Sequence, residues 1–186
     1  NRVNTMTDAY HRRLTTFDPG VGKKFYDDHV EYPKLVRTFE WMLHDKDAIS
    51  DLRRWLAFRR GKLKPAWVPT WQVDLILAEF LATGGADLHV VANDYATYYN
   101  LANSRRDIHI IMRNGTTYQR RITAVGVDGA HEVLTLDTSL PEDLTLANIK
   151  IISFLGLHRL SQDFVDFHWH SPDVVTAKAN MRLLSE

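Results

Sequence analysis

The sequence predicts a mainly β chain with one main helix, an α+β arrangement built as a β-sandwich or small barrel. Three observations lead there. One segment, Asp45 to Arg60, carries apolar residues at helical spacing with a stop signal behind it. From Ala86 onward the chain breaks into short β-branched and aromatic runs separated by turn signals. Two of those signals, Asn114-Gly115 and Asp128-Gly129, are strong hairpin dipeptides.

Residues 1–33 show little periodicity. Asn1 to Thr16 is polar, with Tyr10 and Leu14 at helical spacing. Asp18-Pro19-Gly20 reads as a turn. Tyr32-Pro33 marks an extended boundary, because the residue before proline avoids the helical region. Lys34 to Leu43 alternates: Leu35, Arg37, Phe39 and Trp41 share one face, with Val36, Thr38, Glu40 and Met42 on the other. That pattern predicts a strand.

In the helix, Asp45 or Asp47 supplies the N-terminal cap. Ile49, Leu52, Trp55 and Leu56 form its apolar stripe. Arg59 and Arg60 oppose the macrodipole in the last turn, and Gly61 ends it at C′. Pro65 and Pro69 then deny Trp67 to Trp71 a regular helix. Gln72 to Ala82 is ambiguous. Val73, Leu75, Leu77 and Glu79 alternate, while Ile76 and Phe80 also fit a helix; a strand is preferred.

Gly84-Gly85 is a turn, and strands follow at Leu88–Val91 and Asp107–Arg113. A type I′ hairpin at Asn114-Gly115 leads into Thr116–Val127, and Asp128-Gly129 leads into Glu132–Asp137. Leu140 to Asp143 is a loop. The last strands are Ile149–Leu160, Asp163–His170 and Val174–Leu184. The best boundary is Thr83 to Gly85. It separates an N-terminal strand–helix–loop half (1–83) from a β-rich half (84–186), as two domains or as two halves of one.

Composition narrows the function classes. At 186 residues a real core is expected. Basic and acidic residues balance at 23 each, so no overall bias favours nucleic acid or an anionic membrane. Without cysteine, disulfides, thiolate metal sites and cysteine nucleophiles are excluded. No apolar run nears the roughly 20 residues that span a bilayer. The sequence starts on Asn1 rather than Met, with no signal-peptide pattern at that point.

Few constellations suggest chemistry. Asp166, His168 and His170 share one strand face opposite Val165, Phe167 and Trp169, as metal ligands or as a polar outer face. The other histidines are scattered. Ser153, Ser161 and Ser171 lack the flanking glycines of a nucleophile elbow. Phosphate loops are absent, and Asp27-Asp28 and Glu142-Asp143 read as loop charges. No catalytic residue, metal or cofactor is therefore expected, and no small-molecule substrate.

The 45–64 segment carries seven cations against three aspartates, a local balance of +4. It could meet phosphates, with Trp55, Trp67 and Trp71 as stacking surfaces. It could equally meet an acidic partner, or be a solvated face with arginine stems laid on tryptophan. Four of the five tryptophans fall between 41 and 71. Trp41, Trp55, Arg59, Arg60, Trp67, Pro69 and Trp71 are therefore the candidate residues, as a local core or as an interface anchor.

Phe39-Glu40-Trp41, Leu52-Arg53 to Arg60-Gly61-Lys62-Leu63-Lys64-Pro65, and Trp67-Val68-Pro69-Thr70-Trp71-Gln72-Val73-Asp74 together resemble a family of long-tailed bacteriophage tail structural proteins. Arg159-Leu160 to Asp163, Phe167-His168-Trp169 and the ending Leu184-Ser185-Glu186 are similar to that family's close. The resemblance covers roughly residues 30–186. Ala66 departs from it, standing where a bulkier aromatic residue belongs, and the polar start has no match. The resemblance implies a tail-tube-like β-sandwich with one flanking helix. It also implies a distal-tail or tail-tip component of the virion, self-associating in a ring and meeting other tail proteins. A neck or head–tail joining role is the near alternative, and a nucleic-acid-binding module using 45–64 is the alternative of another class.

Overall fold

The computed structural model describes residues 7–11, 14–28 and 34–184. The Tyr32-Pro33 boundary and the Ser185-Glu186 ending lie outside them. In chain order the first elements are β1 (Thr7–His11), β2 (Leu14–Phe17), β3 (Phe25–Asp28), β4 (Lys34–Leu43), α1 (Lys46–Arg59) and β5 (Ala66–Pro69). Then come β6 (Asp87–Val91), α2 (Tyr95–Tyr98), β7 (Asp107–Met112), β8 (Thr117–Asp128) and β9 (His131–Leu136). The last are β10 (Ile149–Leu160), β11 (Asp166–Ser171) and β12 (Val174–Leu183). The chain is mainly β with one main helix, and its strand pairs are antiparallel, as a β-sandwich or small barrel requires.

Two compact units emerge. One comprises residues up to 66 with 158–184, the other residues 67–157. The boundary expected at Thr83 to Gly85 falls inside the second unit. There the Gly84 N–H donates to the Leu140 carbonyl and the Thr83 N–H to Asp143, so the Gly-Gly turn is stitched into the unit.

In the first unit, β4 lies between β1 and β12. Phe39 faces Ala179 and Trp41 faces Ala177 across the β4–β12 ladder. Small residues opposite large rings let that face close, and Phe39, Ala177, Ala179 and Met181 are buried. Arg37 is buried too. It makes a two-pronged pair with its cross-strand partner Asp8, Nε to Oδ1 at 2.6 Å and Nη2 to Oδ2 at 2.7 Å. The Asp8 carboxylate supplies the countercharge without which a buried guanidinium would be very costly.

Helix α1 follows its sequence closely. Of the two possible caps Asp45 serves, accepting the Ala48 N–H at 2.6 Å. Ile49 is buried and Leu52, Trp55 and Leu56 are partly buried, so the stripe faces inward as its spacing requires. Gly61 has φ 61°, the left-handed value expected at C′, and Arg60 before it is left-handed too at 53°.

The N-terminal region differs from expectation. Tyr10 and Leu14 do not share a helix face; they lie on β1 and β2 and both are exposed. Local spacing misled here because β1 is fixed by pairing with β4, nearly thirty residues on. The Asp18-Pro19-Gly20 turn lies between β2 and β3, which form a two-stranded sheet of their own. Asp18 accepts the Gly20 N–H at 3.0 Å and pairs with Lys24 at 2.9 Å. Lys24 first, then that N–H, holds the Asp18 carboxyl below its usual pKa.

In the second unit the order is β10-β7-β8-β9-β6, with β5 also paired to β10. Strand β8 pairs β7 through Arg121 and β9 from Ile122, with a register shift between Ile122 and Ala124. That irregularity lets one strand serve two partners. Ile108, Ile110, Ile122, Leu134, Ile152 and Tyr95 are fully buried in its core.

Two local expectations are corrected. Gln72 to Ala82 is not a strand. Leu75 and Leu77 are buried and Ile76 exposed, so it is extended, but it bonds in turn to Ile152, His89 and Leu144 and never builds a ladder. The Asn114-Gly115 hairpin is not type I′, which needs two positive φ values. Gly115 alone has one, at 92°. Met112 accepts the Gly115 N–H and donates to the Thr116 carbonyl, while the Asn114 side chain accepts the Thr116 N–H. This is a three-residue loop closed by a glycine bulge. At the second hairpin a two-residue loop forms, but one position on, at Gly129-Ala130: Asp128 still pairs His131, and the positive φ (59°) at Gly129 alone is the type II′ pattern.

Candidate functional site

Strand alternation builds a pocket in the second unit. Along β5 and onward, Val68 and Thr70 are buried, so Trp67, Pro69 and Trp71 point the other way. Trp67 is 50% exposed and Trp71 40%. On β10, β7 and β8, cross-strand partners form two rows: Ser153, His109 and Gln119, then Leu155, Asp107 and Arg121. Trp67, Pro69 and Trp71 line a cavity of about 790 Å³ with His109 and Gln119 of the first row and all of the second, and Asp137 and Arg120 complete it; Ser153 is buried and is not part of the lining.

The Trp71 backbone is unusual. Its φ is 58°, a region bulky side chains rarely occupy. Bonds on both sides hold it. The Thr70 N–H donates to the Phe154 carbonyl at 2.9 Å, and the Thr70 hydroxyl donates to Asp74. Asp74 also accepts the Phe154 N–H at 2.8 Å and lies 3.9 Å from Arg105 Nη1, and Ser153 Oγ donates to the Gln72 carbonyl at 2.8 Å. The indole meets the His109 ring edge-on, centroids 6.2 Å apart.

The polar groups of the pocket are paired in advance. Arg121 grips Asp107 with Nε to Oδ1 at 2.8 Å and Nη2 to Oδ2 at 3.1 Å. The Arg121 N–H donates to Asp137 Oδ1 at 2.9 Å. Arg120 donates to the carbonyls of Thr138, Gln119 and Ser139. His109 Nδ1 and Gln119 Nε2 are 3.2 Å apart. Burial lowers the His109 pKa from its ordinary 6.5, which favours the neutral ring.

The seven candidate residues divide between the units. Trp41, Trp55, Arg59 and Arg60 belong to the first, and Trp67, Pro69 and Trp71 to the second. Trp41 stacks on Phe39 with centroids 5.9 Å apart, a local core contact. The Arg59 guanidinium lies 5.0 Å from the Trp55 ring centre and donates to the Pro65 carbonyl at 2.7 Å. Arg60 is exposed. The two half-exposed tryptophans are not core residues; only strand pairing at β5 reveals which way they face.

Several cations of the 45–64 segment also rest on aromatic rings. Arg53 lies over Phe167 and Trp169, at 5.4 and 5.5 Å, and Lys64 over Phe58 at 4.1 Å. Trp55 therefore carries an arginine where nucleic-acid binding would place a base. Elsewhere in the first unit Lys62, Arg159 and Arg182 line a cavity of about 620 Å³.

On β11, His170 Nε2 meets Thr176 Oγ1 at 2.9 Å, while Asp166 and His168 are exposed. Among the described residues no group of three or more His, Asp or Glu is arranged to hold a metal. The scattered histidines hide one cluster: Glu79 lies 3.5 Å from His89 Nδ1 and 3.9 Å from His131 Nε2. The pairing of β6 with β9 brings those histidines near each other, with His131 opposite Val91. No protein-family model matches this chain, and no curated protein matches it.

Proposed function

We propose that this chain is a non-enzymatic structural subunit of a bacteriophage tail, of the distal-tail or tail-tip type, whose copies associate in a ring within the virion. The tail class comes from the resemblance of residues 39–74 and of the chain's ending. The observation that carries self-association is the β2–β3 hairpin. Its large apolar side chains face solvent: Phe17 is 63% exposed, Phe25 64% and Val21 89%, with Leu14 and Tyr26 exposed as well. Phe17 and Phe25 are direct cross-strand partners.

A lone two-stranded hairpin is marginal in water, and grouped exposed apolar residues mark an interaction surface. A neighbouring copy that covers the hairpin makes a head-to-tail contact. Repeated around an axis, such contacts close a ring.

Mass photometry and negative-stain imaging test this on the intact chain and on Phe17→Asp/Phe25→Asp. The reading expects rings or discrete oligomers from the first. The variant should be monomeric with an unchanged unfolding midpoint. A strictly monomeric parent, absent from virions by mass spectrometry, would remove the proposal. Salt-dependent oligonucleotide binding lost on Arg53→Ala or Arg54→Ala would favour the nucleic-acid alternative instead.

A further inference from the structure

We propose that the Trp67–Trp71 pocket is a binding site for a neutral carbohydrate, with the Trp71 indole as its stacking platform. This inference does not rest on the ring-subunit reading, which is carried by the β2–β3 hairpin. It goes beyond the expectation of no small-molecule substrate.

The first argument is strain. A bulky residue at φ 58° costs energy, and such strain gathers at ligand sites where surrounding bonds enforce it. Core packing does not account for it here, because the indole stays 40% exposed. The Thr70–Asp74–Phe154 bonds and the Ser153–Gln72 bond instead fix the backbone on both sides. Their effect is to hold one flat apolar face at the pocket before any ligand arrives.

The second argument is charge. Asp107 and Asp137 balance Arg120 and Arg121, and burial disfavours a charge on His109. A charged ligand would meet no net opposite charge. A wholly apolar ligand would strip water from the Asp137 carboxylate and the exposed Gln119 amide, whose bonds to the Arg121 N–H and to His109 replace only part of it. Strand β7 beneath the pocket is paired on both sides by β10 and β8, so it offers an extended peptide no edge of its own. A neutral sugar ring meets the demands of charge and of polarity together. Its C–H face lies on the indole, and its hydroxyls both donate to Asp137 and bond with Gln119. The cavity, about 790 Å³, is within the size range of small-ligand sites.

Ligand-observed NMR and intrinsic fluorescence on the full chain test this, using maltotriose, cellotriose and chitotriose. The expected result is saturable binding of at least one sugar, with Kd on the order of 1 mM. Trp71→Ala should weaken it by roughly ten-fold or more, the scale of a lost aromatic contact. Gln119→Ala, an exposed position, should weaken it several-fold while leaving the unfolding midpoint in place. Trp169→Ala, in the other unit, should leave it unchanged. Trp71→Phe serves if the alanine variant does not fold. No saturable response up to about 10 mM of any of the three sugars overturns the proposal. So does sugar binding that survives both pocket substitutions, or binding of N-acetyl-tryptophanamide where the sugars fail.

Discussion

Asp163 sits against Gly61 at the end of helix α1. Its Oδ1 accepts the Lys62 N–H at 2.9 Å, across 101 positions of sequence. A Cβ on Gly61 would come within 2.4 Å of that oxygen and 3.2 Å of the Asp163 backbone Cα. Gly61 also has φ 61°. Gly61→Ala therefore meets both a conformational and a steric penalty. We expect a loss of about 2 kcal/mol by urea unfolding. Adding Asp163→Ala should relieve the clash with the carboxylate but also take the acceptor from the Lys62 N–H, so the double variant stays less stable than the parent chain.

Asp74 is the anchor beneath Trp71. It accepts the Thr70 hydroxyl and the Phe154 N–H, and its side chain is only 10% exposed. Asp74→Ala strands both donors away from water. A destabilisation of about 3 kcal/mol is expected, since each buried unsatisfied group costs about 1–3 kcal/mol. Asp74→Asn retains an acceptor and should lose less. Chemical denaturation of the two variants side by side decides this.

At Trp71 the backbone argument makes a prediction that reverses the usual order. Glycine in place of alanine normally destabilises a folded chain. Here φ is 58°, so Trp71→Gly should be more stable than Trp71→Ala by about 1 kcal/mol. Equal stabilities, or alanine ahead, would show that Trp71 is not held in the left-handed region.

His109 predicts a pH dependence. Burial lowers its folded-state pKa below the ordinary 6.5. Between the two values the unfolded chain binds more protons, so stability falls as pH drops below about 6.5 and levels off below the folded-state value. Above that window the residue contributes no slope. Thermal unfolding of His109→Gln between pH 7.5 and pH 5, both about the limits of histidine titration, should show a shallower fall than the parent chain. A parallel fall would remove this account of His109.

Much of this was readable before folding. Lys34–Leu43, Ile149–Leu160 and the helix with its Asp45 cap and Gly61 stop all depend on short-range pattern, and all form. Gln72 to Ala82 reads as a strand and is not one, because its alternation is real but its hydrogen-bond partners lie on three separate segments. Helix α2 leaves no signal in the sequence pattern. Its Tyr95, Tyr98 and Tyr99 have helical spacing, but four residues are too few for periodicity to register. For the pocket, residue types near 67–71 could be picked out as important. Asp107, His109, Gln119 and Asp137 carried no signal, because ordinary strand residues become a site only when their strands align.

Local chemistry alone thus dictated the strand-rich class, the single long helix and the weight on Trp67, Pro69 and Trp71. Those features follow from side-chain periodicity, capping and proline geometry, which act over a few residues. The facing of the two tryptophans, the left-handed Trp71 and the charge-balanced floor beneath it were decided by tertiary structure. Ser153 reaches Gln72 across 81 positions, and Phe154 reaches Asp74 across 80. Contacts that distant are set by strand register, and register is a property of the paired sheet that no single segment encodes.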